Sequence, residues 1–230
     1  MNARAILFDM DGTLVDSERL HYDSMSAVVT AAGGVMSDEI AAAITGMSGA
    51  ECHALLRRAA GFTPGVDEYI AAKYRLYLEA ASSLLMRPGA TEVLAFLTSR
   101  SIPFAIVSNS DRILMDANLN AVGLQRPGLI TVARNDVRHG KPSAEPYLRA
   151  AYLLGIDSAD CVVVEDSIPG AIAGHAAGMR VVGWPEPHRR DIAFPEETIL
   201  ADPLDLVTTL ASLLDGMPIT HVKDPADVSG

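Results

Sequence analysis

Five short apolar runs punctuate the chain: AILF (5–8), FAIV (104–107), LITVA (129–133), CVVVE (161–165) and RVVGW (180–184). They are near-continuously hydrophobic and rich in Val and Ile, which is how strands buried on both faces read. Segments with helix punctuation lie between them. In SAEPYLRAAYLLG, Ser143 is the N-cap candidate and Gly155 follows the last turn. Near the C-terminus Asp202 reads as a cap with Pro203 in the first helical position, opening PLDLVTTLASLLDG. Strands alternating with helices predict an α/β fold with a parallel sheet joined by crossover helices.

One interval breaks the alternation. From Ser17 to Met86, about 70 residues, there is helical pattern only, where a crossover needs roughly a dozen residues. Ser48 and Glu51 form a capping box, and Ile70, Tyr74, Tyr77, Leu78 and Ala81 trace one helical face. Gly33–Gly34, Gly46 and Gly61 can end successive helices. The expected organisation is a core of 1–16 and 87–216, an inserted helical domain of 17–86, and a tail of 217–230.

Composition narrows the functional classes. With 29 acidic and 18 basic residues the formal net charge is −11, so a polyanionic partner would be repelled over most of the surface. Nucleic acid and anionic membranes are therefore excluded as main partners, and a small anion needs a local exception. No apolar run approaches a membrane span and no cleavage site follows a basic start, which reads as a cytoplasmic protein. The two cysteines, Cys52 and Cys161, make no disulfide framework; Cys161 sits in an apolar run as a buried thiol would.

The chemistry gathers where strands end. In AILFDMDGTLVDS, Asp9 and Asp11 follow the first strand two positions apart, so an extended chain points both to one side. Open α/β sheets bind ligands at the carboxyl ends of their strands. Two carboxylates this close repel, and a proton or a cation must relieve them. One candidate is a metal held by Asp9, Asp11, Glu165 and Asp166, the last two following the strand CVVVE. These are hard oxygen donors without His or Cys, a set that suits Mg²⁺ better than zinc. The other candidate is Lys141 in HGKPSAEPY, whose ammonium can bridge a phosphate and a carboxylate. Ser108 and Asn109, directly after the second strand, can cradle phosphate oxygens at a helix start. Each piece alone is commonly a turn, a cap or a loop, and GKPS is no P-loop because Pro142 follows the lysine. The ordered set of four is what stands out.

That set closely resembles the haloacid dehalogenase superfamily of phosphatases and phosphomutases. DMDGTLVDS matches its first motif, Ser108 its second, Lys141 its third and EDSIPGAIAGHAAGM its fourth. The resemblance implies a Rossmann-like core under a mobile helical cap, and a Mg²⁺-dependent reaction on a small phosphorylated metabolite such as a sugar or polyol phosphate. It implies Asp9 as nucleophile forming an aspartyl-phosphate, with Asp11 as general acid and then base, its pKa raised when the cap closes. Mg²⁺ would bind Asp9, the main-chain carbonyl of Asp11, Asp166 and Glu165, while Lys141 and Ser108 hold phosphate oxygens. Ser17 and the Arg87-Pro88-Gly89 stretch are hinge candidates. His21 matches a substrate-contacting position of the phosphoglucomutase branch. Lys73 is a weaker substrate candidate that otherwise reads as a solvated lysine. His175 and the PEPHRRD loop, with His188, Arg189 and Arg190, read as helix surface and loop.

Two alternatives compete with simple hydrolysis. A mutase of the β-phosphoglucomutase type carries a lysine and an arginine around the glycine matching Gly46; here those places are Thr45 and Gly49, although Arg57 or Arg75 can compensate. A phospho-acceptor signalling protein would use similar strand-end residues but has no use for an inserted cap, and a catalytically silent binding protein is disfavoured because acids at 9, 11, 165 and 166 only cost stability without a cation. The sequence leaves the oligomeric state open; a monomer is compatible with it.

Overall fold

The structure is a computed structural model that describes residues 3–44, 47–187, 189 and 192–216. The expectations placed on Thr45, Gly46, His188, Arg190 and the tail 217–230 fall outside the described residues.

Six parallel strands form the sheet: β1 (Ala5–Phe8), β2 (Phe104–Val107), β3 (Ile130–Val132), β4 (Cys161–Glu165), β5 (Arg180–Gly183) and β6 (Ile199–Leu200), in the order β3-β2-β1-β4-β5-β6. The pattern of apolar runs anticipates the first five to within a residue at their ends. It gives no sign of β6, a two-residue edge strand too short to carry a pattern. The chain runs outward from β1 on one side and then on the other, so β1 sits at the reversal of strand order, where the loops after β1, β2 and β4 splay apart into a crevice.

Strand alternation explains the two-sided core. Ile6 and Phe8 of β1, with Val162 and Val164 of β4, pack against α5 (Ala90–Ser99), α6 (Arg112–Ala121) and α9 (Leu206–Asp215). Ala5, Leu7, Cys161 and Val163 point the other way, onto α7 (Glu145–Leu154) and α8 (Ile168–Ala176). Cys161 is a buried free thiol, as read.

Between β1 and α5 lie α1 (Glu18–Ala31), α2 (Asp38–Ala43), α3 (Gly49–Ala59) and α4 (Val66–Ala80), with no strand among the described residues of the interval. They enclose a small core of their own around Met25, Val29, Leu56, Phe62 and Tyr69. The capping box Ser48–Glu51 is present at α3. The two chain crossings into this insert are clasped together: Val15 bridges Met86, Asp16 N–H donates to Leu85 O at 3.0 Å, and Arg87 N–H to Leu14 O at 2.9 Å. Arg87 anchors the chain where it returns to the core. Its guanidinium donates to the carbonyls of Gly12 (2.8 Å), Trp184 (2.6 Å) and Pro185 (2.7 Å) and lies 3.9 Å from the Trp184 ring centroid. Gly89 must be a glycine for two reasons: its φ is +87°, and a Cβ would stand 3.2 Å from the same indole.

Two caps differ from the sequence reading. Helix α7 starts one residue later than predicted, with Ala144 at the cap position and Ser143 Oγ accepting from Glu145 N–H. Helix α9 is capped by Asp205, which accepts from Thr208 N–H at 3.0 Å; Asp202 instead turns back on Leu204 N–H, because Pro203 starts a turn and not the helix. Among the described residues no helix is long and apolar enough to cross a membrane. Asp205→Ala should therefore cost about 1 kcal/mol in chemical denaturation, as a lost N-cap does, while Asp202→Ala changes stability by less than half of that. Equal losses would return the cap to Asp202.

Candidate active site

Strand β1 ends at Phe8, and Asp9 continues the ladder by donating its N–H to Val164 O at 2.9 Å, which places its carboxylate beside the end of β4. There Asp9, Glu165 and Asp166 each present an oxygen within 4.8 Å of the others, and all three are buried. Lys141 reaches the same point, immediately before a cis peptide bond to Pro142. Its ammonium donates to Asp9 Oδ1 at 2.5 Å, to Glu165 Oε1 at 2.6 Å and to Val107 O at 2.9 Å. An ammonium has three protons, so all are taken. Lys141 bridges two carboxylates and a carbonyl, where the sequence suggested a carboxylate and a phosphate.

Glu165 is equally saturated. Its Oε1 accepts from Lys141 and from Tyr147 Oη at 2.7 Å, and its Oε2 from Ser167 N–H at 3.2 Å and Ser167 Oγ at 2.8 Å. Gly170 on α8 allows this: a Cβ there would lie 1.7 Å from Glu165 Oε1. Asp166 accepts from Thr13 Oγ1 at 3.1 Å, and Gly12 turns under it with φ +79°, where a Cβ would be 2.6 Å from Asp166 Oδ2.

The electrostatics are those of a site with more buried carboxylates than positive charge. Burial pushes the Asp9 carboxyl well up; Lys141 opposes this, and Glu165 and Asp166 add to it. Burial, then Glu165 and Glu18, raise Asp166 to about 8 against Arg189 and Thr13. Burial alone would lower Lys141, but Asp9 and Glu165 hold it above its ordinary value. Asp9 Oδ2 is buried without a hydrogen-bond partner. An orphaned carboxylate oxygen among hard oxygen donors fits a divalent metal. Asp9 and Asp166 have the capacity to hold it directly, whereas Glu165 would first have to give up hydrogen bonds.

Asp11 departs from this group. Its carboxylate turns toward the insert and α6: Oδ1 accepts from Ser17 Oγ (2.7 Å) and Asn118 Nδ2 (3.0 Å) and lies 3.2 Å from His21 Nε2, while Oδ2 accepts from Ser108 Oγ and Ser110 Oγ, both at 2.8 Å. Burial pushes its pKa up, but His21, Ser17 and Ser108 outweigh it and hold the carboxyl below its ordinary value. In this arrangement donors to a charged carboxylate overcome desolvation, whereas the raised pKa was expected of Asp11 on closure of the cap. Of the acids expected at the metal, the carboxylates of Asp9, Glu165 and Asp166 converge, while the Asp11 side chain lies apart from them, its main-chain carbonyl being the group the resemblance assigns to the metal.

The remaining expectations resolve individually. Ser108 is buried at the end of β2, bonded to Asp11. Asn109 spends both ends of its side chain on Lys141, accepting from its N–H at 2.8 Å and donating to its carbonyl at 3.0 Å, so this amide positions the lysine. His21 stacks on Tyr77 with centroids 4.4 Å apart. Lys73 is not a solvated lysine: it is 6 % exposed, and burial lowers its pKa while Cys52, Asp11 and Asp111 raise it. Helix α4 turns it into a cavity of about 470 Å³ that Asp9, Asp11, Ser108 and Lys141 also line. His175 is a helix-surface residue bonded to Thr198 Oγ1. Arg189, from the PEPHRRD loop, pairs with Glu18 at 3.0 Å and stands 4.0 Å from Asp166 Oδ2.

Sequence reasoning missed Tyr147, Ser110 and Asn118. The last carried a signal: Asn118 falls four residues after Leu114, on the apolar stripe of α6, and a polar residue there must find a partner.

Residues 3–178 match the haloacid dehalogenase-like hydrolase family. Hexitol phosphatase A of Escherichia coli is 34 % identical over 218 residues, which are 90 % of this chain and 91 % of that protein. The bifunctional riboflavin kinase/FMN phosphatase of Arabidopsis thaliana is 30 % identical over 211 residues; these cover 91 % of this chain but only about half, 53 %, of the plant protein. The structure of CbbY from Rhodobacter sphaeroides, a mutant form in complex with xylulose-(1,5)bisphosphate, superposes with a TM-score of 0.77 at 25 % identity, covering 88 % of this chain and 94 % of that one.

The contact between Gly170 and Glu165 can be tested directly. Gly170→Ala should push the Glu165 carboxylate off Lys141 and lower stability by about 3 kcal/mol or more in chemical denaturation, as breaking a buried ion pair does. A loss below about 1 kcal/mol would show that the carboxylate is free to move.

Proposed function

The chain belongs to the haloacid dehalogenase-like hydrolase family, and from that premise we propose that it is a Mg²⁺-dependent phosphatase of small phosphorylated metabolites, sugar or polyol phosphates among them. The observation that carries the reading is the buried set of Asp9, Glu165 and Asp166 against the single ammonium of Lys141, with one Asp9 oxygen left without a partner. Hexitol phosphatase A, similar over nine-tenths of both chains, supports the substrate class.

In the proposed reaction a carboxylate oxygen of Asp9 attacks phosphorus. The P–O bond to the leaving alkoxide breaks as an aspartyl-phosphate forms, and water then hydrolyses that intermediate. Lys141 fixes the Asp9 carboxylate through Oδ1 and removes part of the like charge that opposes attack on a phosphate dianion. Asp9 and Asp166 would hold the metal, with Glu165 steadying both it and Lys141 from behind. Bound there, Mg²⁺ would supply the Lewis acidity and charge neutralisation that phosphoryl transfer to a carboxylate needs. Ser108 offers its hydroxyl to the phosphate. Asp11 gives a proton to the leaving alkoxide and takes one from the attacking water, for which it must leave its present donors and gain a proton. Helices α1–α4 act as the cap over this crevice, and His21 and Lys73 face the substrate from it.

The charge distribution favours hydrolysis over a mutase. Neither Arg57 nor Arg75 lines the cavity, and Lys73 and Arg19 are the cations the insert turns toward it among the described residues. A phospho-acceptor role leaves the cavity beneath the insert without a purpose.

A phosphate-release assay over sugar, polyol and glycolytic phosphates with Mg²⁺ should find at least one good substrate, and EDTA should silence it reversibly. Asp9→Asn should lower kcat by at least about 10³-fold with folding intact. Activity near wild type in that variant, or metal-independent turnover, would remove the proposal. Isomerisation of a hexose phosphate faster than phosphate release would establish the mutase instead.

A further inference from the structure

Asn118 sits on α6, outside every motif that carries the chemistry, yet its fully buried side chain touches that chemistry at one end and the insert at the other. Its Nδ2 donates to Asp11 Oδ1 at 3.0 Å, and its Oδ1 accepts from Tyr77 Oη of α4 at 2.9 Å. Tyr77 is itself fully buried and stacks on His21, which approaches the same Asp11 oxygen. Asp11, in turn, occupies the hydroxyl protons of both Ser108 and Ser110.

Two consequences follow from these contacts. An anion that is to use the Ser108 hydroxyl has to displace another anion, the Asp11 carboxylate. Every donor that stabilises Asp11 in its present position therefore competes with phosphate binding, and Asn118 is such a donor, held in orientation by a cap helix. Leucine, nearly the same shape, would suit the apolar stripe of α6 on packing grounds alone, so an asparagine there is explained by its two hydrogen bonds and not by the core.

We propose that Asn118 is a positioning residue: with Tyr77 it straps the Asp11 carboxylate across the phosphate subsite, so that phosphate binding is coupled to release of Asp11 from the cap helix α4. The proposal rests on the reading of Ser108 as a phosphate donor and Asp11 as the mobile acid.

The test is the affinity of the full chain for inorganic phosphate in the presence of Mg²⁺, measured by isothermal titration. Asn118→Leu should tighten the phosphate Kd about tenfold, equivalent to about 1.4 kcal/mol. Tyr77→Phe, which keeps the ring on His21 but frees the amide, should shift it about threefold in the same direction. It serves equally if Asn118→Leu folds poorly. In an Asp11→Asn background, Asn118→Leu should change the Kd less than about twofold. KM for p-nitrophenyl phosphate should fall alongside Kd in the single variants. An unchanged or weakened Kd in both single variants, or equal tightening with and without Asp11, overturns the strap. The general-acid reading is judged separately by the turnover of Asp11→Asn: wild-type rates there would end that assignment without altering the outcome of the phosphate cycle.

Discussion

Three carboxylates and one ammonium share the buried point where β1 and β4 end, and most of the site's geometry is a response to that crowding. Bringing Asp9, Glu165 and Asp166 out of water costs several kcal/mol for each ion unless the charges are matched. Lys141 matches one of the three. The remainder, two negative charges if all are ionised, is the charge of a divalent cation, and the alternative is protonation, which is why Asp9 and Asp166 are pushed upward when only protein surrounds them. The surrounding residues are constrained accordingly. Tyr147 and Ser167 fill the Glu165 oxygens that Lys141 leaves, Asn109 grips the lysine main chain, and Gly12 and Gly170 are glycines because carboxylates stand where a Cβ would be.

A second constraint separates the two aspartates of the first strand. They leave β1 two positions apart in sequence, but only Asp9 stays with Glu165 and Asp166. The turn at Gly12 and the clasp between residues 14–17 and 85–87 bring Ser17 and His21 within reach of Asp11, and Ser108, Ser110 and Asn118 complete its shell. One carboxylate thus has burial dominating and is raised; the other has donors dominating and is lowered. Two groups whose environments push their pKa values apart can take different chemical roles. Under the proposed mechanism those roles are nucleophile and acid, and the second must be switched on by a change in its donors.

The parts of the molecule that were legible in the sequence are those dictated by short-range pattern. The buried strands announce themselves because both faces are covered, so AILF and CVVVE have no polar alternation to blur them. Asp9, Ser108, Lys141 and Asp166 were legible as residues at strand ends or helix starts. What was hidden depends on distances along the chain that no spacing rule encodes: Tyr147 onto Glu165, Asn118 onto Asp11, and Lys73 turned from solvent into a cavity. The direction of the Asp11 shift was hidden for the same reason, since it is set by burial against His21 of α1, Ser17 just before it and Ser108 in the loop after β2. The cap of α9 shows the smaller-scale version. Asp-Pro and Asp205 both offer a start, and which one wins depends on whether Thr208 N–H is in reach.

The cavity wall adds the last element. Besides the site acids, Asp16, Glu18, Asp111 and Glu186 line it, in a chain whose formal charge is already −11. Such a wall draws a divalent cation inward and repels a phosphate dianion. Arg189, paired with Glu18 and 4.0 Å from Asp166, relieves only one edge. Under the proposed function the negative field therefore favours a substrate with a single phosphate and a hydroxylated, uncharged remainder over one with a second phosphate to place under the insert. Hydroxyls can donate to the wall carboxylates, whereas a second phosphate would meet them as like charge. The absence of Arg57 and Arg75 from the cavity and the acids of its wall thus act in the same direction, and under the proposed function the charge that lines the crevice argues for hydrolysis of a monophosphate alongside the residues proposed to do the chemistry.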